Sequence, residues 1–106
     1  KPKIYGSSST NSPEVELWSG NEYTSQGQGW VEFIIPSVNS IEIGSYTFYW
    51  VVIEVDQNSS GFPIGIDGGP PVDNADLIQI NTSGSWTTLS YYGLNYNWLI
   101  EVYISN

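Results

Sequence analysis

Apolar residues recur at every second position through most of the chain, and β-branched and aromatic side chains fill those positions. This is the pattern of strands with one buried face. It predicts strands at 3–5, 14–18, 30–35, 41–43, 46–55, 64–66, 77–80, 86–89 and 97–104. Glycine, proline, asparagine and serine occupy the gaps, as turns require. In the last strand Trp98, Ile100, Val102 and Ile104 share the face expected to meet the core, with Leu99, Glu101 and Tyr103 opposite. In 14–18, Val15 and Leu17 alternate with carboxylates expected to face water. The stretch 46–55 differs. Phe48, Trp50 and Val52 lie on one face and Tyr49, Val51, Ile53 and Val55 on the other, so both faces are apolar and a central strand is expected. No helical period appears. Many short strands without a helical crossover predict an all-β fold, specifically an antiparallel β-sandwich of jelly-roll-like or immunoglobulin-like form.

At 106 residues the chain is expected to form a single domain spanning 1–106. Ordering it costs on the order of 100–200 kcal/mol of conformational entropy. With no cysteine to form a disulfide, its five tryptophans and eight tyrosines are expected to supply much of the offset from the core. No internal repeat is visible, and the most linker-like stretch is 7–13.

Charge narrows the functional classes. Two residues are basic, Lys1 and Lys3, and eleven are acidic, for a formal net charge of −9 with no arginine. Phosphate backbones and anionic membrane surfaces are held by clustered lysine and arginine, so nucleic-acid binding is excluded, as is electrostatic adsorption to anionic lipid. No apolar run is long enough to insert as a membrane-spanning helix. Histidine, cysteine and methionine are absent, which removes the imidazole acid–base group, the thiolate nucleophile and the soft metal ligands. The expectation is a protein that is not an enzyme. Few charged residues among many serines, threonines, asparagines and aromatics suit an extracellular location. The chain has neither an initiator methionine nor a basic leader followed by an apolar stretch, and reads as a processed or excised piece.

Three constellations remain as candidate sites. In 61–76, GFPIGIDGGPPVDNAD, the side chains of Asp67, Asp73, Asn74 and Asp76 crowd a glycine- and proline-rich loop, with the three aspartates as the candidate metal ligands. Hard oxygen ligands so placed suit calcium, the candidate cofactor, although the spacing is not that of an EF-hand loop and aspartates also close turns through their own backbone. Tyr91, Tyr92 and Tyr96 crowd the last quarter with Trp86 and Trp98. Exposed rings stack on sugar faces, so glycans are a candidate partner; the competing use of these rings is core packing. Lys1, Lys3, Ile4 and Tyr5 form a basic strand at residues 1–6 on an otherwise acidic chain. That strand is complementary to the acidic sheet edge of another copy, with 7–13 as a hinge-like loop, so it is a candidate exchangeable strand for subunit contact; pairing within its own chain is the alternative. Head-to-tail contacts of that kind propagate as a filament. Two acceptor triplets, at Asn58 and Asn81, fall between predicted strands and are candidate glycosylation sites.

The second half also carries a resemblance. The run Tyr49–Val55, then GFPIGIDGGPPVDNADLI (61–78), GSWTTL (84–89) and GLNYNWLIEVYI (93–104) resembles a lectin-like β-sandwich module of bacterial secreted peptidases and surface proteins, akin to cleaved-adhesin-type domains. The resemblance implies an extracellular, non-catalytic accessory domain, in some cases with bound calcium. Asp67, Asp73 and Asp76 match its acidic loop, and Trp86 and Trp98 match its core tryptophans. Together these readings lead to the expectation of a structural or adhesive β-sandwich module that self-assembles through its first strand. The alternative is a carbohydrate-binding accessory module.

Overall fold

The computed structural model describes residues 1–8, 11–24, 27–36, 41, 44–56, 64–81 and 84–102. Five strands and one 3₁₀ turn are present among them, and no α-helix: β1 Pro2–Ser7, β2 Val15–Ser19, β3 Phe48–Ile53, β4 Leu77–Ile78, β5 Thr87–Thr88 and the turn Leu89–Tyr92. Every strand pair is antiparallel, so the fold is all-β. No helix among the described residues is long and apolar enough to cross a membrane. The chain divides into two compact units, one from residues 1–9 and 13–56 and one from 10–12 and 57–106.

The first unit is built on a three-stranded sheet in the order β2-β1-β3. β1 occupies the middle. It pairs with β3 in an unbroken register from Pro2 opposite Ile53 to Ser7 opposite Phe48. Against β2 the register shifts between Ile4 and Tyr5, placing Ile4 opposite Trp18 and Tyr5 opposite Glu16. Pro2, which has no N–H, sits at the first strand position, where a missing donor does least harm, and its carbonyl accepts from Gly20 N–H at 2.8 Å. Glu54 N–H donates to the Lys1 carbonyl at 2.9 Å, extending the β1–β3 ladder.

Side chains explain why β1 takes the central place. Lys3 Nζ lies 3.0 Å from Glu16 Oε1 and 2.6 Å from Glu54 Oε2, so the basic strand is neutralised from both sides. The Glu54 contact first, then that of Glu16, holds the ammonium well above the ordinary lysine range, and the same contact with Lys3 lowers the Glu54 carboxyl. At Gly6 a Cβ would come within 2.6 Å of Tyr46 Cγ and Cδ2, so the absence of a side chain admits that ring onto the sheet. Tyr46 meets Tyr49 edge to face with centroids 6.2 Å apart. Trp50 Nε1–H donates to the buried Ser7 Oγ at 2.8 Å. Ser8 N–H donates to Glu14 Oε1 at 2.9 Å, joining the two ends of the loop that leads from β1 to β2.

Several expectations are corrected here. The apolar-faced stretch 46–55 forms β3 but lies at the outside of the sheet, and all its strand residues are half-buried. The run 30–35 is not a strand among the described residues, and it leaves Trp30 and Ile34 69% and 75% exposed. Alternation marks chain that is able to pair, but pairing also needs a neighbour in register. Of the segment 97–104, residues 103–104 lie outside the described residues, and the described part carries a single bridge, between Trp98 and Ile66, so Ile100 and Val102 are exposed where a core face was expected. Likewise Val15 is exposed, and 64–66 contributes only its bridge residue. Of the stretch 41–43, residues 42–43 lie outside the described residues.

The tryptophans at 18, 50, 86 and 98 are half-buried, and the fully buried apolar side chain among the described residues is Leu89. It belongs to the second unit, whose sheet is the short β4–β5 pair, with Leu77 opposite Thr88 and Ile78 opposite Thr87.

Candidate functional site

The second unit is organised less by apolar packing than by one buried amide. Asn97 is 5% exposed, and both ends of its side chain are occupied. Its Nδ2 donates to Asp67 Oδ1 at 3.1 Å, to Asp67 Oδ2 at 3.2 Å and to the Pro70 carbonyl at 3.0 Å, while its Oδ1 accepts from Val72 N–H at 2.6 Å. Its backbone N–H adds a bond to Asp67 Oδ1 at 3.2 Å, and its carbonyl accepts from Asp67 N–H at 3.0 Å. Residues 67–72 are thus fastened to residue 97. Gly69 N–H also donates to Asp67 Oδ1 at 2.8 Å. Gly69 has φ +78°, its bond to Pro70 is cis, and a Cβ there would collide with the Asn95 carbonyl. Only glycine fits so close an approach.

Neighbouring residues extend the fastening. Trp98 N–H donates to the Ala75 carbonyl at 3.0 Å, and its indole Nε1–H to the Leu77 carbonyl at 2.8 Å. Leu89 N–H donates to the Asp76 carbonyl at 2.8 Å and Leu94 N–H to the Leu89 carbonyl at 3.1 Å. Buried Leu89 therefore anchors the first residue of the 3₁₀ turn. Thr88 caps that turn, accepting from Tyr91 N–H through Oγ1 at 3.2 Å, and Gly93 closes it in the left-handed conformation at φ +79°. The turn presents Tyr91 and Tyr92 outward, 76% and 49% exposed, with their rings edge to face at 5.2 Å.

Beside the turn is a concavity of about 380 Å³ lined by Asn11, Pro71, Asp73, Asn74, Asp76, Leu77, Thr88 and Ser90. Six of these side chains carry oxygen. Thr88 Oγ1 and Ser90 Oγ lie 3.0 Å apart, so the two hydroxyls share a hydrogen bond at its edge. Chemically this is a rim of acceptors and hydroxyls next to two exposed rings.

The candidate residues named from sequence fall as follows. Tyr91 and Tyr92 stand together on the turn, whereas Tyr96 is half-buried and engaged. Asp73 and Asp76 line the concavity, with Asp76 4% exposed. Asp67 is committed to Asn97 and Gly69. Among the described residues no group of three or more acidic side chains is placed to hold a metal ion, so Asp67, Asp73 and Asp76 do not converge as a calcium site would require. Lys3, Ile4 and Tyr5 lie in the middle of their own chain's sheet, and Lys1 is exposed at its end. Asn81 is exposed in the turn after β4, with φ +108°; Asn58 lies outside the described residues.

Sequence reasoning missed Asn97, the residue on which this arrangement turns, and missed Asn11, Thr88 and Ser90 as lining, while Asn74 stands in the polar cluster it named. The threonine three residues before a tyrosine pair and a glycine is a helix-cap signal visible in TLSYYG, but the long-range partners of Asn97 have no local signature. Comparisons with protein-family models, curated proteins and solved structures gave no match.

The Gly69 amide, followed by the Asn97 side chain and backbone, holds the Asp67 carboxyl below its ordinary value of 3.8. A carboxyl lowered by folding stabilises the fold above its ordinary value, and that contribution is lost as pH falls through the lowered one. Stability measured by denaturant unfolding is therefore expected to fall as pH drops below 3.8. Asp67→Asn should start less stable at neutral pH and lose less across the same window. Parallel acid profiles for the two proteins would contradict this assignment.

Proposed function

We propose that this chain is a non-enzymatic, extracellular binding module of the lectin-like β-sandwich kind, and that its ligand is carbohydrate. The observation that carries the proposal is the capped 3₁₀ turn, which holds Tyr91 and Tyr92 exposed beside a concavity rimmed by Asp73, Asn74, Asp76, Thr88 and Ser90. Pyranose rings offer an apolar C–H face and a fringe of hydroxyls. Tyrosine faces match the first, and carboxylates, amides and hydroxyls match the second. A turn fixed by Leu89, Thr88 and Gly93 loses little freedom when a ligand binds. The sandwich arrangement belongs to this reading, supported by the antiparallel pairing in both units. So does the location outside the cell, supported by the few charged residues among many serines, threonines, asparagines and aromatics and by the resemblance of 49–104 to cleaved-adhesin-type domains. Binding rather than catalysis is supported by the lack of any histidine or cysteine.

Glycan-array screening followed by calorimetry is the direct test. At least one neutral oligosaccharide is expected to bind, with Tyr91→Ala and Tyr92→Ala each weakening it about three- to tenfold while unfolding midpoints stay unchanged. No binding to any glycan, or equal binding by both variants, would overturn the proposal.

A second reading, assembly by exchange of the first strand, is favoured by one observation. Lys3 lies between Glu16 of β2 and Glu54, the residue after β3, on either side of β1. The same slot would accept β1 of a neighbouring copy with the same register and charge pairing. Sedimentation of the full chain is then expected to show larger species whose share rises with concentration and falls when a synthetic peptide of residues 1–8 is added. A single monomeric species at roughly millimolar concentration, far above the micromolar dissociation constants of ordinary association, would contradict assembly.

A further inference from the structure

The first unit carries a concavity of its own, remote in chemistry from the tyrosine turn. It measures about 360 Å³, and its lining includes Trp18, Tyr23 and Phe33 together with Pro2, Glu22 and Glu32. Trp18 belongs to β2, opposite Ile4. A Cβ added at Gly20 would come within 2.7 Å of Trp18 Cη2 and 2.8 Å of Pro2 Cγ, so the indole and the proline ring both lie close over that glycine. Tyr23 and Phe33 meet edge to face with centroids 5.9 Å apart. Glu22 and Glu32 are exposed, and no lysine or arginine is among the lining residues. Ile34, largely exposed, also lines it.

Aromatic faces attract cations through their quadrupole, and carboxylates beside them add charge and hydrogen-bond acceptors. A groove with three rings and two carboxylates selects a ligand that is cationic, flat and rich in N–H donors. Among biological cations the guanidinium fits best. It is planar, weakly hydrated, stacks on rings and bonds carboxylates in a fork, whereas a primary ammonium is compact and holds its water more tightly. The formal charge of −9 gives such a ligand a favourable approach. A second copy of this chain cannot supply a guanidinium, because the sequence has no arginine.

We propose that this groove binds an arginine side chain presented by a partner peptide, with the guanidinium seated among Trp18, Tyr23 and Phe33 and its N–H groups directed to Glu22 and Glu32. The site is separate from the tyrosine turn and does not depend on the carbohydrate reading.

The test is a titration of the full chain, observed by ¹⁵N–¹H NMR, with acetyl-Gly-Arg-Gly-amide and with matched peptides carrying lysine or citrulline. The arginine peptide is expected to shift the Trp18 indole N–H and the Gly20 and Phe33 amides saturably. Lysine should bind about threefold more weakly, and citrulline, which keeps the shape and loses the charge, should not bind. Glu22→Gln and Glu32→Gln, both surface changes, should each weaken the arginine peptide about two- to fivefold while the rest of the spectrum stays in place. Equal shifts with citrulline, or none with arginine, would overturn the proposal. So would broadening of these signals that grows with protein concentration in the absence of peptide, which would mean that a second copy covers the groove.

Discussion

The side-chain amide of Asn97 is the contact on which the second unit depends. It joins a carboxylate, a carbonyl and an amide N–H that lie 25 to 30 residues earlier in the chain. A buried hydrogen bond contributes about 1 kcal/mol, and a buried polar group left without a partner costs a comparable amount. Asn97 is the buried member of this network, and its side chain ties the exposed Asp67, Pro70 and Val72 to one point, so removing the amide releases all three side-chain ties together while Asp67 keeps its bonds to the Gly69 and Asn97 N–H groups. The β4–β5 pair is only two residues long on each side, and Leu89 is the fully buried apolar side chain among the described residues. Polar fastening therefore carries much of the order that an apolar core supplies elsewhere. The tyrosine turn inherits that order through the Leu89 N–H bond to the Asp76 carbonyl.

In the first unit the comparable constraint is charge. One lysine stands between two glutamates at the centre of a sheet, in a chain with eleven acidic residues and two basic ones. With Lys3 paired, Lys1 is the other basic side chain, so the rest of the chain is acidic on balance, which bears on any partner. Neutral, hydroxyl-rich ligands approach without an electrostatic cost, cationic ones are drawn in, and anionic polymers are repelled. The two proposed sites divide along that line, one offering rings beside amides and hydroxyls, the other rings beside carboxylates.

Much of the fold class was legible in the sequence, and for a clear reason. Period-two alternation in 3–5, 14–18 and 46–55 reports local strand geometry, and β1, β2 and β3 form there. Neighbours were not legible. The apolar faces of 46–55 suggested a central strand, yet the centre went to β1, because Lys3 needs a carboxylate on each side and Gly6 gives room to Tyr46. The run 30–35 alternates as well as any strand, but among the described residues nothing pairs with it. Of the sites, exposure of Tyr91 and Tyr92 followed from the glycine after them, a local stop signal. Clustering in sequence misled for Asp67, Asp73 and Asp76, since Asp67 turns toward Asn97 while Asp73 and Asp76 line a concavity. Residues brought together across long stretches of chain, such as Asn97 with Val72 or Tyr23 with Phe33, leave no mark in a single sequence.

The claim that one amide organises the second unit is tested most directly by amide hydrogen exchange on the native chain and on Asn97→Ala. The account predicts that Val72, Leu89 and Tyr91 lose protection together in the variant, by about tenfold or more for a loss above roughly 1.4 kcal/mol, while the β1 and β3 amides keep theirs. Unchanged protection at Val72 and Tyr91, or a uniform loss that reaches β1 and β3 equally, would contradict it.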